Sequence, residues 1–234
     1  MFHPAQDRDF GARQKSHSSD NFARAVPQDP CERHARAHIL GIMEKTDSPM
    51  NLSGTLLIAM PGMGDPRFEK SVIYVCAHST DGAMGLIVNK PATELSFRDL
   101  LAQLEIPVGD AGRDIRVHFG GPVEHGRGFV LHSADYQSGA DSTLHVNDDF
   151  GLTATIDILE DIATGTGPEL ALLALGYAGW GPGQLEEEIG QNGWLTCAAN
   201  PKIVFDQDDS AKWQRALAVM GIDPLLLSAD AGRA

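Results

Sequence analysis

The stretch from Gly176 to Trp194, GYAGWGPGQLEEEIGQNGW, contains two tryptophans, six glycines and three adjacent glutamates, and it decides more of the fold than any other part of the chain. Glycines on both sides of Trp180 permit positive φ angles or a close approach of the backbone. Pro182 suits the first position of a helix, and the Asn-Gly pair near the end of the stretch suits its exit. We therefore predict a corner of strand, short helix and strand, with Trp180 as its anchor and a short helix from Gln184 onward.

The predicted helix has one apolar and one acidic side. Leu185 and Ile189 are four residues apart and share the buried side, whereas Glu186 and Glu187 lie near the positive end of the helix dipole. The glutamates would repel an anion, so the glycines do not predict a phosphate cradle. A site for a cation or an amide-bearing partner beside Trp180 is one interpretation, and a structural corner is the alternative that the turn chemistry favours. The residues of this structural signature are Gly176, Tyr177, Gly179, Trp180, Gly183, Gln184, Leu185, Glu186 and Trp194.

Composition and charge narrow the class of protein. The chain has 234 residues, of which 42% are apolar, so it is long enough to bury a real core. Its net charge is −14, and the part from Ala134 to Ala234 holds 16 acidic and 4 basic residues. So acidic a segment would be repelled by phosphate backbones, and direct binding to nucleic acid is not favoured.

The cysteines and the apolar runs bear on the cellular compartment. Cys31, Cys76 and Cys197 are odd in number and lack the spacing of a metal site, which favours a reducing compartment. No apolar run approaches the roughly 18 residues that a membrane-spanning helix needs. The N-terminus lacks the apolar core of a signal peptide. We expect a soluble, cytoplasmic protein that does not associate with membranes.

The first 48 residues differ in composition from the rest of the chain. They are rich in His, Arg, Asp and Ser and offer few large apolar side chains, so residues 1–48 are predicted to form a disordered N-terminal extension. A start codon placed too far upstream, with Met43 or Met50 as the real first residue, is the alternative. The folded domain is expected to span residues 49–234.

The sequence of the folded part predicts hairpins first and a mixture of helices and strands afterwards. This order indicates an α+β fold and not a doubly wound dinucleotide-binding fold. Its first hairpin has apolar residues on both faces and should be interior. The predicted strands are 52–60, a hairpin turning at 79–82, a pair made of RVHFGGPV and GFVLHS around a Gly-Gly-Pro turn, and a hairpin turning near Asn147–Asp149. One predicted helix begins after Ser96, a second covers DILEDIAT and a third covers SAKWQRALAVMG. The segment ELALLALGYAG fits either a helix or a strand.

Several long motifs occur in order along this part of the chain. They are LIAMPGMGDPRFEKSVIYVCAH, GAMGLIVNKP, HFGGPV, GYAGWGPGQLEEEIGQNGWL, NPKIVFD and KWQRAL. Together they closely resemble the YqgE/AlgH family of bacterial proteins, over about residues 51–223. The resemblance implies a single α+β domain in which a curved or barrel-like, mostly antiparallel β-sheet is flanked by helices. Members are often labelled transcriptional regulators, and the resemblance implies no catalytic residues.

Basic residues flank the glycine-rich turns of the first half of the chain. If the fold brings these turns together, the basic side chains and backbone N–H groups would form a concavity for a small anion or an acidic ligand. The alternative is a solvated surface on which Asp65, Glu69 and Glu124 neutralise the cations. The candidate ligand-binding residues are Asp65, Arg67, Lys70, Lys90, Arg116, His118, Gly120, Gly121 and Arg127.

Two familiar site chemistries have partial counterparts in the sequence. The segment 64–71, GDPRFEKS, resembles a phosphate-binding loop, but Glu69 replaces the second glycine and the segment leads into a strand, so this chemistry is rejected. His118 and His132 would approach each other across a symmetric hairpin, where Glu124 could help them hold a metal ion. Histidines that simply form hydrogen bonds at a sheet edge are the favoured alternative. We expect no metal and no cofactor.

The sequence leaves two classes of function open. The favoured hypothesis is a non-enzymatic regulatory or binding protein that acts through a protein or small-molecule partner, because catalytic signatures are missing and no basic recognition helix is present. The alternative is an enzyme, with hydrolysis as a candidate reaction and a site formed by Asp65, Cys76, His118 and His125. Cys76 would share a strand face with His78, but its apolar surroundings favour an inert thiol. The oligomeric state is not predicted.

Overall fold

Nine strands and five short helices make up the part of the chain that the structure, a computed structural model, describes: residues 51–137 and 142–227. The predicted extension at residues 1–48 lies outside these described residues. The strands are β1 (Thr55–Ala59), β2 (Val72–Ser79), β3 (Gly82–Ile87), β4 (Val117–Phe119), β5 (Val123–Ser133), β6 (Thr143–His145), β7 (Phe150–Thr153), β8 (Ala171–Trp180) and β9 (Trp194–Ala198). The helices are α1 (Phe97–Gln103), α2 (Asp157–Thr164), α3 (Gln184–Gly190), α4 (Pro201–Val204) and α5 (Asp209–Val219), and 3₁₀ turns cover Pro66–Phe68 and Pro224–Leu226.

The strands form one curled sheet in the order β6-β7-β5-β8-β3-β2-β1-β9, with β4 paired to β8 outside this path. Every neighbouring pair is antiparallel except β4 with β8. The α+β class and the curved, mostly antiparallel sheet are therefore confirmed. The ambiguous segment ELALLALGYAG forms β8, and both predicted hairpins, β2 with β3 and β6 with β7, are present.

The strands β1 and β2 are buried on both faces, as their apolar sequences predict. Alternate residues enter two different core clusters: Leu56 and Tyr74 pack into one, whereas Leu57 and Ile73 pack into the other. The first cluster is completed by α4 and α5, and the second by the Trp180 region. A third cluster packs α1 and α2 against β4, β5 and β8. Two-sided burial is why these strands lack polar alternation.

The predicted pairing of RVHFGGPV with GFVLHS is wrong. Strands β4 and β5 both pair with the same residues of β8, Leu173–Leu175, so β8 lies between them. The link between β4 and β5 must therefore cross the backbone of β8, and glycines make this possible. A Cβ atom on Gly120 would lie 2.2 Å from the carbonyl oxygen of Gly176, which itself has a φ of 71°. The Gly-Gly pair thus permits a crossing and not a hairpin turn.

We expect Gly120→Ala to destabilise the protein by about 1–3 kcal/mol, because the new methyl group overlaps backbone atoms of β8 that cannot move independently. Gly126→Ala is the matched control, since a Cβ atom there has no neighbour within 4 Å. Urea denaturation of both variants would measure the difference. Equal stabilities would show that the crossing tolerates a side chain.

The helix ends follow the predicted chemistry with one exception. Ser96 and Asp99 form a reciprocal capping box at α1, and Gly165, at a φ of 89°, ends α2. The prediction that Pro182 takes the first helical position is wrong, whereas the predicted helix from Gln184 onward is confirmed: α3 begins at Gln184, after Gly183 in the left-handed conformation. The side chain of Gln184 accepts a hydrogen bond from the Gly181 N–H at 3.0 Å, which places the proline in a turn. No helix within residues 51–137 and 142–227 is long and apolar enough to cross a membrane.

Candidate binding groove

A concave groove of about 520 Å³ lies between two segments that are more than a hundred residues apart in sequence. One wall is the loop Met60–Phe68, which connects β1 to β2. The other wall consists of the end of β8, helix α3 and the start of β9, with Pro122 at the side. We call this feature the Trp groove. Its size falls within the range of roughly 300–1,000 Å³ that is typical of ligand sites.

Glu188 holds the two tryptophans of the Trp groove together. Its Oε2 atom accepts hydrogen bonds from Trp180 Nε1 at 2.9 Å and from Trp194 Nε1 at 2.8 Å. Its Oε1 atom accepts from Gln184 Nε2 at 2.9 Å. The two indole rings meet edge to face with centroids 6.0 Å apart. Three donors therefore fix one half-buried carboxylate, and that carboxylate fixes both rings.

The opposite wall combines apolar side chains with an ion pair. Phe68 packs edge to face on Trp194, with ring centroids 5.7 Å apart. Asp65 caps the 3₁₀ turn and binds the Arg67 guanidinium in a fork, with Nη2 2.6 Å from Oδ2. Hydrogen bonds from Arg67 hold the pKa of Asp65 below its usual value. Lys90 donates to the backbone carbonyl of Arg67 at 2.5 Å and so ties the loop to the end of β3. Hydrogen bonds therefore hold this wall in place, and the charges of Asp65 and Arg67 compensate each other.

A buried ionic cluster lies elsewhere, between β4 and the start of α5. Asp209 accepts hydrogen bonds from Lys212 Nζ at 2.8 Å, from Arg116 Nη1 at 2.6 Å and from His118 Nε2 at 3.1 Å. The side chains of Lys212 and His118 are fully buried, and Lys212 also donates to the carbonyl oxygen of Val88 at 2.7 Å. We call Arg116, His118, Asp209 and Lys212 the α5 ionic cluster. It joins the last long helix to the sheet.

Burial and pairing oppose each other within the α5 ionic cluster. Burial lowers the pKa of Lys212 to about 8, against the raising effect of Asp209. Burial alone would raise the pKa of Asp209, but hydrogen bonds from His118 and Lys212 outweigh it and lower that pKa to about 2. Burial also lowers the pKa of His118, whose Nδ1 atom is buried without a hydrogen-bond partner. At neutral pH the cluster therefore contains a neutral imidazole, a carboxylate and two cations.

The lowered pKa of Lys212 predicts a rise in stability with pH. Between about pH 8 and the ordinary value of 10.5 the unfolded chain binds more protons at this lysine than the folded chain does, so the free energy of unfolding increases with pH. We expect a gain of about 2 kcal/mol from pH 8 to pH 10 relative to Lys212→Met. Denaturant titrations at both pH values would measure it. Parallel pH profiles for the two proteins would contradict the prediction.

The structure divides the predicted basic concavity into separate places. Arg67 and Lys90 meet at the loop wall of the Trp groove, and Lys70 lies next to this wall beside a second, smaller concavity. Arg116 instead binds Asp209, and Arg127 binds Glu124 at 3.4 Å and lies over the ring of Phe129. The N–H of Gly120 donates to Leu175, and Gly121 packs against the backbone of Tyr177. The described contacts therefore do not bring these cations together around one anion.

Comparison with known proteins identifies the family of this chain, and the matched region includes both walls of the Trp groove. Residues 56–225 match the model of the AlgH-like family, DUF179. This chain belongs to the AlgH-like family. A UPF0301 protein of Cereibacter sphaeroides is 62% identical over 185 residues, which cover 79% of this chain and all of that protein. A UPF0301 protein of Ruegeria pomeroyi is 63% identical over 186 residues, with the same coverage. The predicted family is therefore confirmed.

Two solved structures share this AlgH-like fold. The solution structure of the AlgH protein from Pseudomonas aeruginosa is 41% identical, has a TM-score of 0.64, and covers 82% of this chain and 100% of that protein. The crystal structure of a Corynebacterium diphtheriae protein is 19% identical with a TM-score of 0.62, covering 78% of this chain and 95% of the other. The second likeness concerns the fold alone.

Two of the motifs that resemble the family meet at the Trp groove. The motif that contains Met60–Phe68 forms one wall of the Trp groove, and the motif that contains Trp180 and Trp194 forms the other. The sequence assigned the second motif to a structural corner but did not connect it with the first. Glu188, the residue that binds both indoles, was not among the selected signature residues. Its position four residues after Gln184 on a helix was the available signal.

The residues of the alternative enzymatic site lie in different surroundings. Asp65 binds Arg67, His118 binds Asp209, and His125 stacks on Phe119 with ring centroids 5.5 Å apart. Cys76 is buried in the core, where burial raises the pKa of its thiol. No described contact joins any two of the four residues proposed for that site.

His132 and His78 have structural partners. His132 Nδ1 donates to the Ser133 carbonyl at 2.8 Å and its Nε2 lies 3.0 Å from Thr153 Oγ1, so the predicted approach of His118 and His132 across a hairpin does not occur. His78 Nδ1 accepts from the Leu52 N–H at 3.2 Å, which places its proton on Nε2, 3.1 Å from Glu186. Among the residues described, no group of His, Cys, Asp and Glu could hold a metal ion.

Proposed function

We propose that this chain is a non-enzymatic binding protein of the bacterial cytoplasm, and that it acts by holding a protein or small-molecule partner in the Trp groove. The observation that carries the proposal is the groove itself, whose opposite walls come from the two longest family motifs. Thioether, aromatic and proline groups line it, and a few convergent polar groups are fixed in position. This combination is typical of ligand sites.

The Met60–Phe68 wall suits an adaptable contact. Met60 and Met63 offer flexible, polarizable side chains that fit irregular partners. The tryptophan wall is instead rigid because Glu188 binds both indoles. One adaptable and one rigid wall favour recognition over chemistry, since no nucleophile and general base are paired among the residues that line the groove. A regulatory role would then follow from binding a partner, and direct recognition of DNA is not favoured for so acidic a chain.

A thermal-shift screen with a groove-filling variant tests the proposal. Gly64 lines the Trp groove, and a Cβ atom there has no neighbour within 4 Å, so Gly64→Trp would introduce an indole at the groove without a clash at Cβ. Gly126→Trp is the matched control, because Gly126 is equally open and lies outside the groove. A ligand of the groove should raise the melting temperature of the wild type and of Gly126→Trp but not that of Gly64→Trp.

Two outcomes would count against the proposal. Ligands that stabilise Gly64→Trp as much as the wild type would bind somewhere else. Turnover of a ligand by the wild type, with the same turnover lost in His118 or Asp65 variants, would favour the enzymatic alternative.

A further inference from the structure

The two carboxylates that line the Trp groove differ in how their charge is compensated. Asp65 forms an ion pair with Arg67. Glu188 accepts hydrogen bonds from Trp180, Trp194 and Gln184, all of which are neutral donors. No cation forms an ion pair with Glu188 among the described residues. Its oxygen atoms accept hydrogen bonds, but no cation among these residues compensates its negative charge.

An uncompensated carboxylate in a half-buried, aromatic environment attracts a cation strongly. Two charges interact more strongly near low-dielectric walls than in water, so a cation that enters the groove gains more there than on the open surface. The three donors also hold Glu188 in one position, so little conformational entropy is lost when a ligand binds to it. The groove therefore has a fixed anionic point among Met63, Phe68 and the edges of the tryptophans.

The surroundings of the Trp groove extend the same preference over a longer distance. Glu186 and Glu187 lie exposed on the first turn of α3, the helix that carries Glu188. The whole chain has a net charge of −14. Fields of this sign steer basic partners toward the surface and slow the approach of acidic ones.

Resting on the proposed function, we infer that the Trp groove binds a short, extended segment of a partner protein in which basic and apolar side chains alternate. A lysine or arginine of that segment lies at Glu188, and a neighbouring apolar side chain packs against Met63 and Phe68. The amide groups of Gln191 and Asn192, which also line the groove, match the N–H and C=O groups of a peptide backbone. A peptide supplies cation, apolar group and amide together.

Fluorescence anisotropy with three labelled hexapeptides tests this inference. The peptides alternate leucine with lysine, with glutamine or with glutamate. We expect the lysine peptide to bind the wild type at least about tenfold more tightly than the glutamine peptide, and the glutamate peptide to bind most weakly. Glu188→Gln keeps an acceptor for the indoles and should remove most of the preference for lysine. Glu160→Gln makes the same change of charge on the exposed face of α2 and should keep it.

A second variant tests the role of negative charge by adding another carboxylate to the groove. Asn192 lines the groove at a φ of 58°, a conformation that asparagine and aspartate both tolerate. Asn192→Asp should therefore tighten binding of the lysine peptide by a few-fold and leave the glutamine peptide unchanged. This gain cannot result from partial unfolding, so it keeps the test informative if Glu188→Gln is unstable.

The outcomes separate the ligand class from the groove itself. If the lysine and glutamine peptides bind equally and Gly64→Trp abolishes the binding of both, the groove is the binding site but the inferred preference for a basic segment is wrong. If Gly64→Trp changes nothing, the proposed function is wrong as well. If butylamine or butylguanidinium alone competes at the concentration of the peptide, the occupant is a small cationic molecule and not a protein segment. Equal losses in Glu188→Gln and Glu160→Gln would show unspecific charge attraction, which also overturns the inference.

Discussion

We expect Asp209→Ala to lower the free energy of unfolding by about 3–5 kcal/mol at neutral pH, a large part of the stability of an ordinary domain. The change removes the only carboxylate that the α5 ionic cluster contains, and it leaves Lys212 and Arg116 without their ion-pair partner. Lys212 is fully buried and cannot reach water without movement of the helix. Its only other described hydrogen bond goes to the carbonyl oxygen of Val88.

The neighbouring residue provides the control for this prediction. Asp208→Ala makes the same chemical change one residue earlier, where the exposed side chain caps α5 and accepts from the Ser210 hydroxyl, and should cost about 1 kcal/mol. The double variant Asp209→Ala, Lys212→Met should recover part of the loss, because it removes the stranded charge as well as its partner. Guanidinium titrations of the four proteins would measure these differences. Equal effects of Asp208→Ala and Asp209→Ala would show that the cluster is not a stabilising unit.

The second large effect concerns Trp180. Trp180→Ala should cost about 3–5 kcal/mol, because a ring that is 7% exposed packs into the second core cluster and leaves a cavity when it is removed. Trp180→Phe should cost less, since it keeps an aromatic ring and removes mainly the N–H donor to Glu188. Chemical denaturation followed by circular dichroism would measure both. A loss below about 1 kcal/mol for Trp180→Ala would contradict the assignment of this stretch to a structural corner.

Measurement of ligand binding gives Trp180 a second test. A binding affinity that falls in Trp180→Phe, while the melting temperature stays close to that of the wild type, would make this residue part of the recognition surface. Unchanged affinity in the same variant would limit Trp180 to the role of anchor. Trp194→Phe can be compared directly, since its indole binds the same oxygen atom.

Local chemistry explains which parts of the fold could be predicted. The capping box at Ser96, the left-handed glycine at Gly165 and the turn at Asn147 depend on neighbours within a few residues, and the structure contains all three. The two-sided burial of β1 and β2 could also be read from the sequence, because strands buried on both faces lack alternation. These features require no knowledge of distant contacts.

Long-range pairing explains what could not be predicted. The glycines at 120 and 121 have the composition of a hairpin turn, and only the presence of β8 between β4 and β5 reveals them as a crossing. Lys212 has the sequence context of a solvated residue beside an apolar helix face, yet it is buried because Asp209 is one turn away and Val88 is adjacent. The cations of the predicted anion site are separated in the structure: Arg116 binds Asp209, which is distant in sequence, whereas Arg67 and Arg127 bind acids close to them in sequence.

The position of β8 in the sheet has a consequence for synthesis of the chain. This strand, Ala171–Trp180, connects the β1–β3 part of the sheet to the β5–β7 part, and β9 then covers β1. While the ribosome produces the first 170 residues, the two parts have no strand to join them, and β3 leaves one edge unpaired. Elongation at about 5–20 residues per second keeps this edge open for several seconds. A nascent chain stalled before Ala171 should therefore recruit chaperones, whereas one that has released β9 should not.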